Sequence, residues 1–175
     1  MLLPRDSALR FIEGYKAILL RVLDEAGLAR SDSITGDLAA ARTHAKDKRD
    51  LVEQAIADLE VQGRPVEASV VSAVRTMKVD NWVYLRHTRT FAVFLDKEIQ
   101  NAYEVKALTT PLNQLVDEPP FVFEAGLFEY EGAFVCDGLA LNPVALGPGY
   151  RAQFKAAYSA IRKAGRLHVR AAQLR

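Results

Sequence analysis

The sequence predicts an α+β fold: a helical N-terminal half packed on a C-terminal antiparallel β meander, with one further C-terminal helix. Apolar residues recur at helical spacing up to about residue 78, and aromatic and β-branched residues in alternation take over from Asn81. Helical spacing returns in the last 25 residues. Helices first, strands next and one helix last is an order in which helices cover a sheet instead of alternating with its strands. The 175 residues are expected to form a single domain, 1–175, with a helical part at about 7–78 and a sheet plus C-terminal helix at about 81–170.

Residues 7–27 carry Ile12, Tyr15, Leu19, Val22 and Ala26 at spacings of 3, 4, 3 and 4, which predicts one apolar helix face. Asp6 or Ser7 is placed to cap its start, and Gly27 to end it in a left-handed turn. An Ala-rich helix is predicted at about 36–46, followed by the polar run 44–50 as a solvated face or a break. Asp50, three residues before Glu53, predicts a reciprocal cap for a helix at 50–62 closed by Gly63. Pro65 pre-sets the first turn of a helix at 66–77.

Residues 82–96 read as one long strand, or two joined near His87, and a strand at about 102–108 follows. In 121–131 the apolar parity changes at Gly126, which predicts a β-bulge. Glu131-Gly132 is a tight turn into a strand at 133–141, and 149–164 forms the last helix.

Half of the residues are hydrophobic and 26% charged, a globular composition. One cysteine, Cys136, excludes an internal disulfide framework and points to a reducing, cytoplasmic setting. Acid and base within the first six residues leave no signal-peptide apolar region, and no uncharged run is long enough to span a membrane.

The net charge of +1 conceals its placement. Residues 1–150 hold 16 Lys and Arg against 22 Asp and Glu, whereas the last 25 hold seven basic residues and no acid. Residues 107–150 carry six acids (Asp117, Glu118, Glu124, Glu129, Glu131 and Asp137) and no Lys or Arg. Two readings follow: the basic helix covers the acidic strands, or it serves an anionic partner. On a helix, Arg151, Lys155, Arg162 and Arg166 gather in one arc beside the apolar side made by Tyr150, Phe154, Ala157, Tyr158 and Ile161. Such a stripe can follow a phosphate backbone and release its counterions.

Other candidates are weaker. Trp82, Tyr84 and Arg86 share a strand face by the period of two and form a possible stacking face for unpaired bases, with core packing as the alternative. Asp96 followed by Glu104-Val105-Lys106 has the order of a metal-dependent nuclease core, two carboxylates for Mg²⁺ and a lysine to steady developing charge. With 22 acids and eight lysines, about one acid-x-Lys triplet arises by chance, and the chain contains one.

The run 147–152 fits G-x-G-x-x-A, yet no acid follows Asp137 to hold a ribose, so a dinucleotide fingerprint is rejected. Asp137 beside Cys136 disfavours the thiolate, leaving a buried structural cysteine. His44, His87 and His168 stand singly, without metal-ligand spacing. The helices at 50–62 and 66–77 resemble the opening of a helix-turn-helix unit, but 78–87 has strand-forming residues where the groove-reading helix belongs.

No motif fixes the function. The sequence favours a non-enzymatic binding protein for an anionic partner, nucleic acid foremost, with no cofactor, no metal and no membrane. The alternatives are a protein-interaction or self-associating accessory domain, and a Mg²⁺-dependent nuclease-like enzyme.

Overall fold

A computed structural model describes residues 2–114 and 119–169. The acids Asp117 and Glu118, the bases Arg170 and Arg175 and the end of the chain lie outside the described residues. The α+β arrangement stands: the described residues form four helices, a sheet of seven strands, and a fifth helix set between the last two.

The N-terminal half contains α1 (Arg5–Glu25), α2 (Ile34–Ala45), α3 (Arg49–Val61) and α4 (Ala68–Thr76). α1 buries Phe11, Tyr15, Ile18, Leu19, Val22 and Leu23, a wider face than the 3-4-3-4 stripe alone. Its N-cap is Pro4, with no side-chain cap from Asp6 or Ser7. Gly27 has φ +60°, so the expected left-handed exit is present. Ser33 caps α2 by accepting from Gly36 N at 3.1 Å. The Asp50–Glu53 cap does not form, because Glu53 instead accepts from Arg75 of α4 at 2.6 and 2.8 Å. Pro65 precedes α4 and is not part of its first turn.

The strands are β1 (Lys78–His87), β2 (Ala92–Leu95), β3 (Ala102–Lys106), β4 (Phe121–Tyr130), β5 (Ala133–Cys136), β6 (Leu141–Ala145) and β7 (Leu167–His168). β1, β2 and β3 form the expected meander, but β4 returns beside β1 in place of β3. That spatial order, β4-β1-β2-β3, is a Greek key. β5 turns back from β4 and pairs in parallel with β3, which closes a five-stranded barrel β1-β2-β3-β5-β4-β1. β6 continues along β4 beyond β5, and β7 pairs in parallel with β3. The sheet is therefore mixed and rolled, not an antiparallel meander throughout.

Closure explains the parity change in β4 that predicts a bulge. Phe121, Phe123, Ala125 and Leu127 face the barrel interior without a break, packed with Trp82, Tyr84, Phe94 and Cys136. The alternate residues face outward, and there Phe128 and Tyr130 meet Phe11 of α1. The register of β1 with β4 runs unshifted through Gly126. Both faces are buried at this end, so hydrophobicity stops alternating although the backbone does not bulge. A bulge lies instead in β1, where Tyr84 pairs with Phe94 and Arg86 with Val93, leaving Leu85 as the extra residue.

α5 (Pro148–Lys163) packs Phe154, Tyr158 and Ile161 on the outer side of β1–β3, against Val83, Leu85, Val93, Leu95 and Ala102. Three apolar clusters result: the barrel interior, the α1 side and the α5 side.

Candidate functional site

α5 presents its bases outward. Arg151, Lys155, Arg162 and Lys163 are exposed and Arg166 is half-buried. Arg151 Nη2 donates to the Pro119 carbonyl at 2.9 Å and Arg166 Nη1 to Gln100 Oε1 at 2.8 Å, while Arg162 lies over the Tyr158 ring at 5.7 Å. Among the described residues, none of these five bases is within ion-pair distance of an acid. Three of the acids of 107–150 have partners elsewhere. Glu124 pairs with Arg42 and Lys46, Asp137 with Arg42, and Glu131 with Arg10, all from α1 and α2 or the residue that ends α2. Of the two readings of the charge asymmetry, an internal fit of α5 on the acidic strands is therefore not what the described residues form.

The bulge in β1 adds a cation to this surface. By strict alternation Arg86 would share the face of Trp82 and Tyr84. The extra residue at Leu85 reverses parity, so Arg86 crosses to the α5 side and lies over Tyr158 at 5.3 Å. His87 takes the opposite place, its Nδ1 2.9 Å from the Tyr84 hydroxyl. Tyr158 thus sits beneath two guanidinium groups, Arg86 and Arg162.

The stacking face Trp82, Tyr84, Arg86 is corrected on both counts. Trp82 and Tyr84 are 1% and 0% exposed inside the barrel, Trp82 donating to the Ala125 carbonyl at 3.1 Å. Aromatic rings so enclosed are core and present no face to a base.

Nor do Asp96, Glu104 and Lys106 come together. Asp96 is buried and its oxygens accept from Gln100 N, Asn101 N and Asn101 Nδ2 at 2.7–3.1 Å, which ties the turn between β2 and β3. It faces Tyr103, whose hydroxyl is pushed up by burial and then by the Asp96 charge. Glu104 belongs to the other side of β3, where burial raises its carboxyl and the charges of Arg162 and Arg86 oppose the rise. Neighbouring residues of one strand point to opposite faces, so one ion cannot bridge them. Among the described residues no group of three His, Cys, Asp or Glu is placed to hold a metal.

Cys136 is fully buried in the barrel, and burial followed by the Asp137 charge pushes its thiol up to about 12. His44 contacts Lys48 and His168 stacks on Tyr103.

Sequence reading missed a buried ionic cluster at the seam of the two halves. Arg42, 2% exposed, donates from Nη1 to Asp137 Oδ2 at 2.9 Å and to the Leu139 carbonyl at 2.6 Å, and from Nη2 to Glu124 Oε1 at 3.2 Å. Asp137 Oδ1 also accepts from Leu139 N at 3.1 Å, where the chain passes from β5 to β6. Tyr15 beside them donates to Met77 Sδ at 3.3 Å, and burial then the Asp137 charge push its hydroxyl well up. Gly126 makes room: a Cβ there would stand 2.5 Å from Met77 Sδ and 2.7 Å from Asp137 Oδ2. A signal existed in the sequence, because Ala39, Arg42 and Ala45 recur every three residues on one helix face. An arginine amid the small residues of a buried stripe needs a buried acid.

The fold and these sites define a class no finer than a mixed Greek-key barrel with a helical N-terminal half and an outward cationic helix. No protein-family profile matches the sequence, and neither a curated protein nor a solved structure matches it. Among the described residues no helix is long and apolar enough to cross a membrane.

Proposed function

We propose that the protein is a non-enzymatic binding protein whose α5 face takes an anionic partner, a nucleic acid by preference. The observation that carries this reading is that the bases of α5 point outward with no acid in ion-pair range among the described residues, while Glu124, Glu131 and Asp137 are engaged by Arg10, Arg42 and Lys46. The apolar side of the helix is occupied by the barrel through Phe154, Tyr158 and Ile161, so the stripe is held in fixed geometry. That same use of the apolar side argues against insertion into a bilayer, which needs it free. Residues four apart on a helix are spaced by about 6 Å, so Arg151, Lys155 and Arg162 lie along about 16 Å of α5, and Arg166 follows just past its end. Arg86 widens the patch from the strand beneath.

Self-association loses its motive, since the apolar stripe of α1 is consumed in the chain's own core. The test is fluorescence anisotropy of labelled single- and double-stranded DNA and RNA at low and moderate salt. Binding that weakens steeply with salt is expected, because each phosphate contact releases a counterion. An oligonucleotide left unbound at low salt would remove nucleic acid as the partner.

A further inference from the structure

We infer that the recess on the outer face of β3 takes an unpaired guanine base, so that the nucleic acid on α5 is held as a single strand. This rests on the reading of α5 given above and adds to it a pocket outside the helix. The recess lies between the β1–β2 turn and the β4–β5 turn and holds about 260 Å³ of space. One water needs about 10–15 Å³ by that measure, so the space suits a body many times larger, such as a planar ring system. Phe91, Ala133 and Val169 supply apolar walls, and Glu104 and Lys106 supply the charged groups.

Glu104 and Lys106 are two residues apart on β3, so they point to one face with Cα atoms about 7 Å apart. Both are half-buried, and among the described residues neither side chain makes a hydrogen bond or an ion pair. Their heads are thus uncommitted, unlike those of Glu124, Glu131 and Asp137. A carboxylate accepts only and an ammonium donates only. Side by side they match a base edge with two adjacent N–H donors next to an acceptor. Guanine has that edge: N1–H and N2–H each meet one Glu104 oxygen, and O6 meets Lys106. Adenine and cytosine offer the carboxylate their amino group alone, and thymine or uracil a single N–H between two carbonyls. Base pairing hides this edge, so the base must be unpaired. The Phe91 ring is a wall on which it can lie.

Position joins the recess to α5. Arg86, Val93 and Glu104 stand side by side on β1, β2 and β3, on the α5 side of the sheet. Neighbouring strands are about 4.8 Å apart, so Arg86 and Glu104 are about 10 Å apart across the sheet. Against the effect of burial, the charges of Arg162 and Arg86 favour the ionised form of Glu104. A strand whose phosphates follow Arg162 and Arg86 therefore passes the mouth of the recess.

The experiment uses the full chain and labelled oligothymidylate, alone or with one central guanine or inosine, read by anisotropy at low salt. Guanine should tighten binding about tenfold, the worth of one charge-assisted hydrogen bond. Inosine, which lacks the 2-amino group, should lose most of that gain. Glu104→Gln keeps the shape of a side chain that pairs with nothing among the described residues, so it should fold like the parent and bring guanine and thymine to equal affinity. Equal binding of all three oligonucleotides by the parent would overturn the recess and leave the α5 reading standing. So would a guanine preference that survives Glu104→Gln. An absence of binding by any oligonucleotide would overturn both readings.

Discussion

Arg42 Nη1 and Asp137 Oδ2 stand 2.9 Å apart with side-chain exposures of 2% and 0%, tying α2 to the junction of β5 and β6. The two residues are 95 positions apart, so this ion pair binds the helical half to the barrel at a point no local signal marks. Glu124 joins from β4 at 3.2 Å and is shared with Lys46.

Removing Arg42 alone should be severe. Arg42→Met leaves Asp137 buried and unpaired and is expected to cost about 3–5 kcal/mol in denaturant melts. Adding Asp137→Asn should return a large part of that loss. Equal stability of the single and double variants would mean that an unpaired buried Asp137 charge is not what makes the loss of Arg42 costly.

Gly126→Ala should destabilise by about 1–3 kcal/mol, the range for overpacking, since its Cβ meets Met77 Sδ and Asp137 Oδ2. In a Met77→Ala background, where that neighbour is trimmed, Gly126→Ala should destabilise less than it does in the parent protein. An unchanged melting temperature for Gly126→Ala would show that the seam has more room than these distances describe.

The triple reversal Arg151→Glu, Lys155→Glu, Arg162→Glu should leave folding nearly intact, because none of the three is in an ion pair within the described residues. Oligonucleotide affinity should fall, and the salt slope should flatten by about 0.9 for each phosphate that the variant no longer neutralises. Unfolding of this variant would return α5 to a purely structural role.

Trp82 is the only tryptophan and lies inside the barrel. Its emission should be that of a buried indole and should not be quenched by saturating oligonucleotide. Quenching would place a base against it and restore the stacking face.

Acid should loosen the seam. Burial raises the Glu124 carboxyl, but hydrogen bonds from Thr43 and Lys46 and the charges of Lys46 and Arg42 outweigh it and hold the group below its ordinary value. A depressed carboxylate contributes stability that is complete above its unfolded pKa, about 4.3, and that is lost as pH falls through the folded value. Glu124→Gln should therefore be less stable than the parent at pH 7, with the gap closing toward pH 3 in urea melts. At the other extreme, the Cys136 thiol, pushed up to about 12, should resist alkylation at pH 8 until the protein is unfolded.

The sequence by itself determined what depends on neighbours along the chain. Five helices follow from 3.6-residue spacing, their left-handed exits at Gly27 and Gly63 from the absence of a Cβ, and the β4–β5 hairpin from Glu131-Gly132. It placed the bases of α5 on one arc because that needs only helix geometry. Tertiary structure decided what depends on partners distant in sequence. Closure of the barrel, with β4 on β1 and β5 parallel to β3, turned Trp82 and Tyr84 inward. One extra residue at Leu85 sent Arg86 to the α5 side, since strand parity reverses at a bulge and composition carries no trace of it. The acids of 107–150 could have met either α5 or α2, for charge alone names no partner at such range. Burial of Arg42 between the two halves settled it in favour of α2 for Glu124 and Asp137, because a guanidinium enclosed there requires carboxylates within hydrogen-bond reach.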